Sequence, residues 1–199
     1  MGLPKAHTDK VQNIPEALIV QRFSESGPQL SKEQPKPNIL PPFYGRSYVA
    51  FKERLAFKES ACNYFIVNSL GYLGKYQFGR STLVLMGVHD AMQFLNNAEL
   101  QERIFKLNIA RNKWILRREI KKYEGQVMNN IKITESGLLA AAHLAGAGNV
   151  KRYLRTLGHS DVKDLYGTNL SDYLKKFSDY DVSVVKAEKN PRYSKMISS

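Results

Sequence analysis

Cysteine is nearly absent from this 199-residue chain, with Cys62 its only representative. One thiol excludes an internal disulfide framework and a cysteine-built metal centre. Four scattered histidines do not supply the spacing of a zinc site either. Cys62 itself reads as a small apolar side chain, not a nucleophile. Long apolar runs are also missing. No stretch approaches the roughly 18 apolar residues of a spanning helix, and Met1 to Lys10 lack the apolar core of a secretory leader. No stable membrane insertion is therefore expected. Synthesis in the cytoplasm is expected too, so that any work at a cell wall, periplasmic or extracellular, needs a delivery route other than this N-terminus. Acidic residues are scarce, 18 against 30 Lys and Arg, for a formal charge of +12. Such a surface favours anionic partners at low salt. The basic residues are spread along the chain, without zinc-finger spacing or an aromatic RNA-binding signature, so nucleic acid is not an expected partner.

Proline is missing between Pro42 and Pro191, whereas seven prolines crowd the first 42 residues among Ser, Gln, Lys and Asn. That composition buries little apolar area, so residues 1–43 read as a Pro-rich flexible arm, with a short helix around Glu16 to Phe23 as its one regular option. The rest, with 43% hydrophobic and 24% charged residues over the whole chain, has ordinary globular composition. A mainly α domain is expected over 44–178, with a basic, loosely attached tail over 179–199.

Within that domain the spacing predicts a helix from Tyr48 to Ser60 with Val49, Leu55 and Ala56 near one face. Residues 61–80, rich in Gly, Asn and aromatics, predict a loop with a small β-hairpin. Ser81 is placed to cap a helix reaching about Asn96, and Asn97 to cap a long one through Trp114 toward Tyr123. Thr134 then opens an Ala-rich helix that Gly146 and Gly148 close. Shorter helices follow near Asn149 to Thr156 and Leu170 to Phe177.

Three separated stretches carry the chemistry. The first is Glu59-Ser60-Ala61-Cys62-Asn63-Tyr64, followed by Asn68 and by Gly71-Tyr72-Leu73-Gly74-Lys75-Tyr76-Gln77-Phe78. The second is Ala142-His143-Leu144-Ala145-Gly146-Ala147-Gly148-Asn149-Val150, and the third is Thr168-Asn169-Leu170-Ser171-Asp172-Tyr173-Leu174. In this order they resemble the soluble lytic transglycosylase and goose-type lysozyme family, over roughly residues 48 to 178. That family's pattern is Glu-Ser-x-x-Asn, Gly-x-x-Gln, Tyr-Asn-Ala-Gly-x-Gly-Asn-Val and a late tyrosine. The resemblance implies a lysozyme-like fold with Glu59 as catalytic acid. It places Ser60, Asn63, Tyr72, Gly74, Tyr76, Gln77, His143, Gly146 and Tyr173 around the substrate.

The residue chemistry agrees in kind. A carboxyl group at a helix end, beside a loop of aromatics, can hold the proton that a glycosidic oxygen needs; otherwise Glu59 is a solvated helix-end glutamate. Gln77 offers an amide donor and acceptor to sugar substituents, and Gly74 lets backbone approach the glycan. Tyr64, Tyr72 and Tyr76 suit stacking on sugar faces, or plain core packing. His143 and Leu144 stand where the family has Tyr and Asn, which leaves His143 as a hydrogen-bond partner for Glu59 or an ordinary half-buried histidine. Tyr173 is the late tyrosine or a core residue.

No second Asp or Glu follows Glu59 before Asp90, whereas paired-carboxylate glycosidases need one. The resemblance therefore implies a transglycosylase acting on peptidoglycan glycan strands, in which the substrate's own groups complete the reaction and a 1,6-anhydro end is left. It calls for no metal or organic cofactor. Anionic cell-wall polymers would attract the basic surface, and a delivery apparatus is a further partner. Two alternatives stay open: a hydrolytic muramidase, and a catalytically weak glycan-binding component of a phage tail or secretion apparatus.

Overall fold

A computed structural model describes residues 45–163 and 167–193, which are mainly helical. In chain order the elements are α1 (Tyr48–Ser60), α2 (Arg80–Leu85), α3 (Ala91–Leu95), α4 (Ala98–Ile115), α5 (Arg117–Tyr123), β1 (Val127–Met128), β2 (Ile131–Lys132), α6 (Glu135–Ala145), α7 (Ala147–Arg155) and α8 (Leu170–Lys176). The proline-rich arm, with its anticipated short helix, and residues 194–199 of the tail lie outside the described residues. No helix among those described is long and apolar enough to cross a membrane.

The core is organised on α6. The Thr134 hydroxyl accepts from the Gly137 N–H and starts the helix, after which every residue from Ser136 to Ala142 is buried. A helix apolar on all sides needs partners on all sides, and α4, α7 and α8 supply them. Contact with α8 is as close as glycine permits, since a Cβ at Gly137 would stand 2.7 Å from the Leu174 carbonyl oxygen. Helix α1 starts at its Ser47 cap, whose hydroxyl accepts from the Ala50 N–H. Its buried face runs through Ala50, Phe51, Leu55 and Ala56, while Val49 is half-exposed. The face is thus turned slightly from the expected one.

Four expectations need correction. The stretch 81–96 is two helices, not one: Gly79 occupies the N-cap of α2, Gly87 at φ +88° ends that turn, and the Asp90 carboxylate caps α3 by accepting from the Met92 and Gln93 N–H groups. A glycine in the left-handed region cannot continue a helix. The long helix likewise breaks at Leu116 into α4 and α5. The loop 61–80 has only isolated bridges, Val67 to Leu73 and Leu73 to Phe78, whereas the two-stranded antiparallel sheet is β1 with β2. Asn129 and Asn130, at φ +50° and +60°, make its turn, the asparagine-rich geometry of a tight hairpin.

The fourth correction concerns the tail. Residues 179–193 are a packed strap, because Tyr180, Val182 and Val185 are buried. The Tyr180 ring lies 5.9 Å from that of Phe51, the Glu188 N–H donates to the Ala110 carbonyl, and the Tyr193 N–H donates to the Met86 carbonyl.

Candidate active site

Helix α1 delivers Glu59, half-buried, to the edge of a cavity of about 240 Å³. The helix stops one residue later because Ala61 and Cys62 both turn into the left-handed region, at φ +52° and +65°. From the far end of the domain, α8 supplies Tyr173, whose ring is buried against Phe177. The Tyr173 hydroxyl donates to Glu59 Oε1 at 2.5 Å, a short O–H···O bond. Tyr173 is thus a core residue whose hydroxyl makes the contact with Glu59 that the sequence offered to His143, whose Nε2 bonds the Tyr76 carbonyl instead.

Tyr72, Gln77 and His143 line the same cavity with Asn68, Asn149 and Lys163. Tyr72 is 43% exposed, which leaves a ring face available to a flat apolar surface. Gln77 stands at φ +50°, uncommon for a residue with a side chain, and its Nε2 donates to the Gly74 carbonyl at 2.8 Å. One edge of the amide is thus engaged internally.

His143 lines the cavity, and Phe78 and Phe105 pack edge-on against it at 5.2 and 5.6 Å. Its Nε2 lies 2.9 Å from the Tyr76 carbonyl oxygen. A carbonyl only accepts, so Nε2 carries the proton and Nδ1 keeps its lone pair. Burial holds the imidazole below its ordinary pKa, against the opposing charge of Glu59 and the bond to Tyr76. At neutral pH it is an uncharged acceptor.

A second cavity, of about 380 Å³, adjoins the first, with Tyr72, Gln77, His143 and Leu144 common to both. Gly146, Ala147 and Gly148 line it at the start of α7, and Asn108, Arg111 and Asn112 line it from α4. Gly146 matches its expected place: at φ +81° it turns the chain between α6 and α7. Among the described residues Glu59 is the only acidic side chain lining either cavity.

Other expected contacts lie away from the cleft, each for a visible reason. Tyr76 is fully buried, stacked on Phe105 at 4.0 Å, with its hydroxyl on the Glu102 carboxylate, so its ring is closed to sugar. Gly74 is glycine for an internal reason: it sits at φ +72°, and a Cβ would stand 2.2 Å from Gln101 Oε1. The Ser60 hydroxyl donates to the Lys75 carbonyl at 2.7 Å, and Asn63 Oδ1 accepts from the Phe65 N–H; both shape the loop. Tyr64 also turns inward, onto Glu102 at 2.7 Å.

Beneath this loop lies a charge cluster with no local sequence signal. Lys75, 3% exposed, donates to Glu53 at 2.7 Å, Glu102 at 2.8 Å and the Tyr64 hydroxyl at 3.1 Å. Burial alone would lower the pKa of Lys75, but these bonds overcome it and raise it. Burial likewise opposes ionisation of Glu102, yet hydrogen bonds from Lys52, Lys75, Tyr64 and Tyr76 hold its carboxyl down at about 2. The cluster ties the loop to α1 and α4. The Cys62 thiol packs against it, 3.7 Å from the Glu53 carbonyl, with burial pushing its pKa up.

Compared with protein-family models, curated proteins and solved structures, the chain matches none of them. The site's chemistry therefore rests on its own residues.

Proposed function

We propose that the chain is a peptidoglycan lytic transglycosylase with a lysozyme-like domain, cleaving the β-1,4 bond between N-acetylmuramic acid and N-acetylglucosamine. The observation that carries this reading is Glu59: among the described residues the lone carboxyl group of a two-cavity cleft, held by the Tyr173 hydroxyl at 2.5 Å. The adjoining cavities suit a polymer that passes the carboxyl group on both sides. In the proposed reaction Glu59 gives its proton to the glycosidic oxygen as the C1–O bond breaks. The substrate's C6 hydroxyl then bonds to C1, and the Glu59 carboxylate takes that hydroxyl's proton. Acid and base are the same group, so a second carboxylate is not required.

His143 favours one second reading. A neutral imidazole lining the same cavity, with Nε2 on the Tyr76 carbonyl and its Nδ1 lone pair not used there, is a candidate base for water, which makes a hydrolytic muramidase the alternative. Digestion of purified cell wall followed by mass spectrometry separates the two, because anhydro products are lighter by one water than hydrolysis products. Glu59→Gln keeps the shape and removes the proton, and general acid catalysis is typically worth about 10² to 10⁴ in rate. Near-normal turnover by Glu59→Gln would overturn the assignment of the acid.

A further inference from the structure

The second cavity has polar groups that the proposed cleavage does not use. Asn108 and Asn112, four residues apart on α4, are 9% and 6% exposed and occupy the buried face otherwise built of Ile104, Phe105 and Ile109. Their amides bond each other, Asn112 Nδ2 to Asn108 Oδ1 at 3.1 Å. One such bond uses one of the four N–H donors and one acceptor site, and leaves both donor and acceptor capacity over, whichever way the amides are turned. Neither amide has another hydrogen bond among the described residues. Nine-tenths-buried amides with spare capacity, lining an open cavity, are paired with a ligand or with water in a stable protein.

Between them Arg111 faces the same cavity and forms no ion pair among the described residues. Arg111 also lines a third cavity, of about 280 Å³, in which Arg192 joins it. Among the described residues no acidic side chain lines either of these spaces. A track thus leads away from Glu59, first past an amide donor and acceptor, then past two guanidinium groups.

We infer that this track binds the peptide substituent of a glycan strand, with Asn108 and Asn112 reading a backbone amide and Arg111 and Arg192 the carboxylates beyond it. This rests on the glycan-cleaving reading of Glu59. A secondary amide presents one donor and one acceptor, matching the spare pair on α4. Guanidinium groups take carboxylates with directed, charge-assisted bonds. A bare glycan has acetamido amides and the lactyl carboxylates of its muramic acid units, but no backbone amide followed two or three bonds on by a carboxylate, so it cannot engage the α4 amides and the arginines together. The consequence is selectivity for peptide-bearing strands over denuded ones.

The test uses the full chain and two probes, a peptidoglycan disaccharide carrying its acidic peptide and the same disaccharide with the peptide removed. With Glu59→Gln to prevent turnover, calorimetry is expected to show the peptide-bearing probe binding about tenfold or more tightly, the effect of one good charge-assisted contact. Adding Arg111→Met and Arg192→Met, outside the core, is expected to erase that difference without lowering affinity for the bare disaccharide. In the NMR spectrum the side-chain amide signals of Asn108 and Asn112 are expected to move with the peptide-bearing probe alone. Equal affinities for the two probes, or a preference that survives loss of both arginines, overturns the inference. Cleavage of cell wall by the wild type without such a preference sinks the peptide track and leaves the Glu59 reading standing. The preference without cleavage does the reverse.

Discussion

The Tyr173 hydroxyl donates to Glu59 Oε1 at 2.5 Å across 114 positions of sequence. Helix α1 brings one residue and α8 the other, and the buried Tyr173 ring keeps the hydroxyl from swinging away. The bond fixes the rotamer of the proposed acid in the absence of substrate, so that a positioned side chain meets the glycosidic oxygen.

Tyr173→Phe tests that relationship. The ring and its packing on Phe177 remain and only the donor is lost, so kcat on cell wall is expected to fall about tenfold, the worth of one good hydrogen bond. The melting temperature is expected to move by only about 2 to 4 °C per kcal/mol lost. Unchanged turnover would reduce Tyr173 to a core residue.

His143→Gln addresses the histidine. Gln reaches the Tyr76 carbonyl with its own amide N–H, but it has no titrating group. Since burial lowers the folded pKa of His143, the imidazole contributes stability that is fully present above its ordinary value of about 6.5. That stability is lost as pH falls from there toward the lower folded value, because the unfolded chain takes up the proton first. Thermal unfolding from pH 8 to 5 is expected to show this loss in the wild type and a flatter profile in His143→Gln. Parallel profiles would contradict it.

Lys75→Met removes the more buried of the two cations, Lys75 and Lys52, that Glu53 and Glu102 share under the loop. Breaking a buried charge cluster from one side typically costs about 3 to 5 kcal/mol, so a large fall in melting temperature is expected. Glu102 adds an acid limb: with its carboxyl held at about 2 instead of 4.5, its stabilisation is present above about 4.5 and disappears as pH falls through about 2. Glu102→Gln is expected to lack that limb in an acid titration followed by circular dichroism.

Ending the chain at residue 178 tests the packed strap. Tyr180, Val182 and Val185 are each buried, and a fully buried apolar side chain is worth about 1.5 to 3 kcal/mol. The shortened chain is expected to lose on the order of 5 kcal/mol and to unfold at a much lower temperature. An unchanged melting temperature would restore the loosely attached tail.

Local signals in the sequence determined the helical class, the span of α1, the Asn97 cap of α4, the Thr134 start of α6 and the turn at Gly146, because periodicity, capping and glycine conformation act over a few residues. The break at Gly87 and the Asn129-Asn130 turn are equally local, set by a glycine and two asparagines in the left-handed region. Tertiary structure alone decided which aromatics of the 61–80 loop face the cleft: Tyr72 points out, whereas Tyr64 and Tyr76 turn inward to Glu102, a partner on another helix. It alone set Lys75 between Glu53 and Glu102 and joined Tyr173 to Glu59. It also drew Tyr180, Val182 and Val185 into the core, since a short apolar set gains burial only where residues such as Phe51 and Phe177 already wait. Each of these depends on which distant surfaces meet, and that is settled by the packing of α1, α4, α6 and α8 and not by any stretch of neighbouring residues.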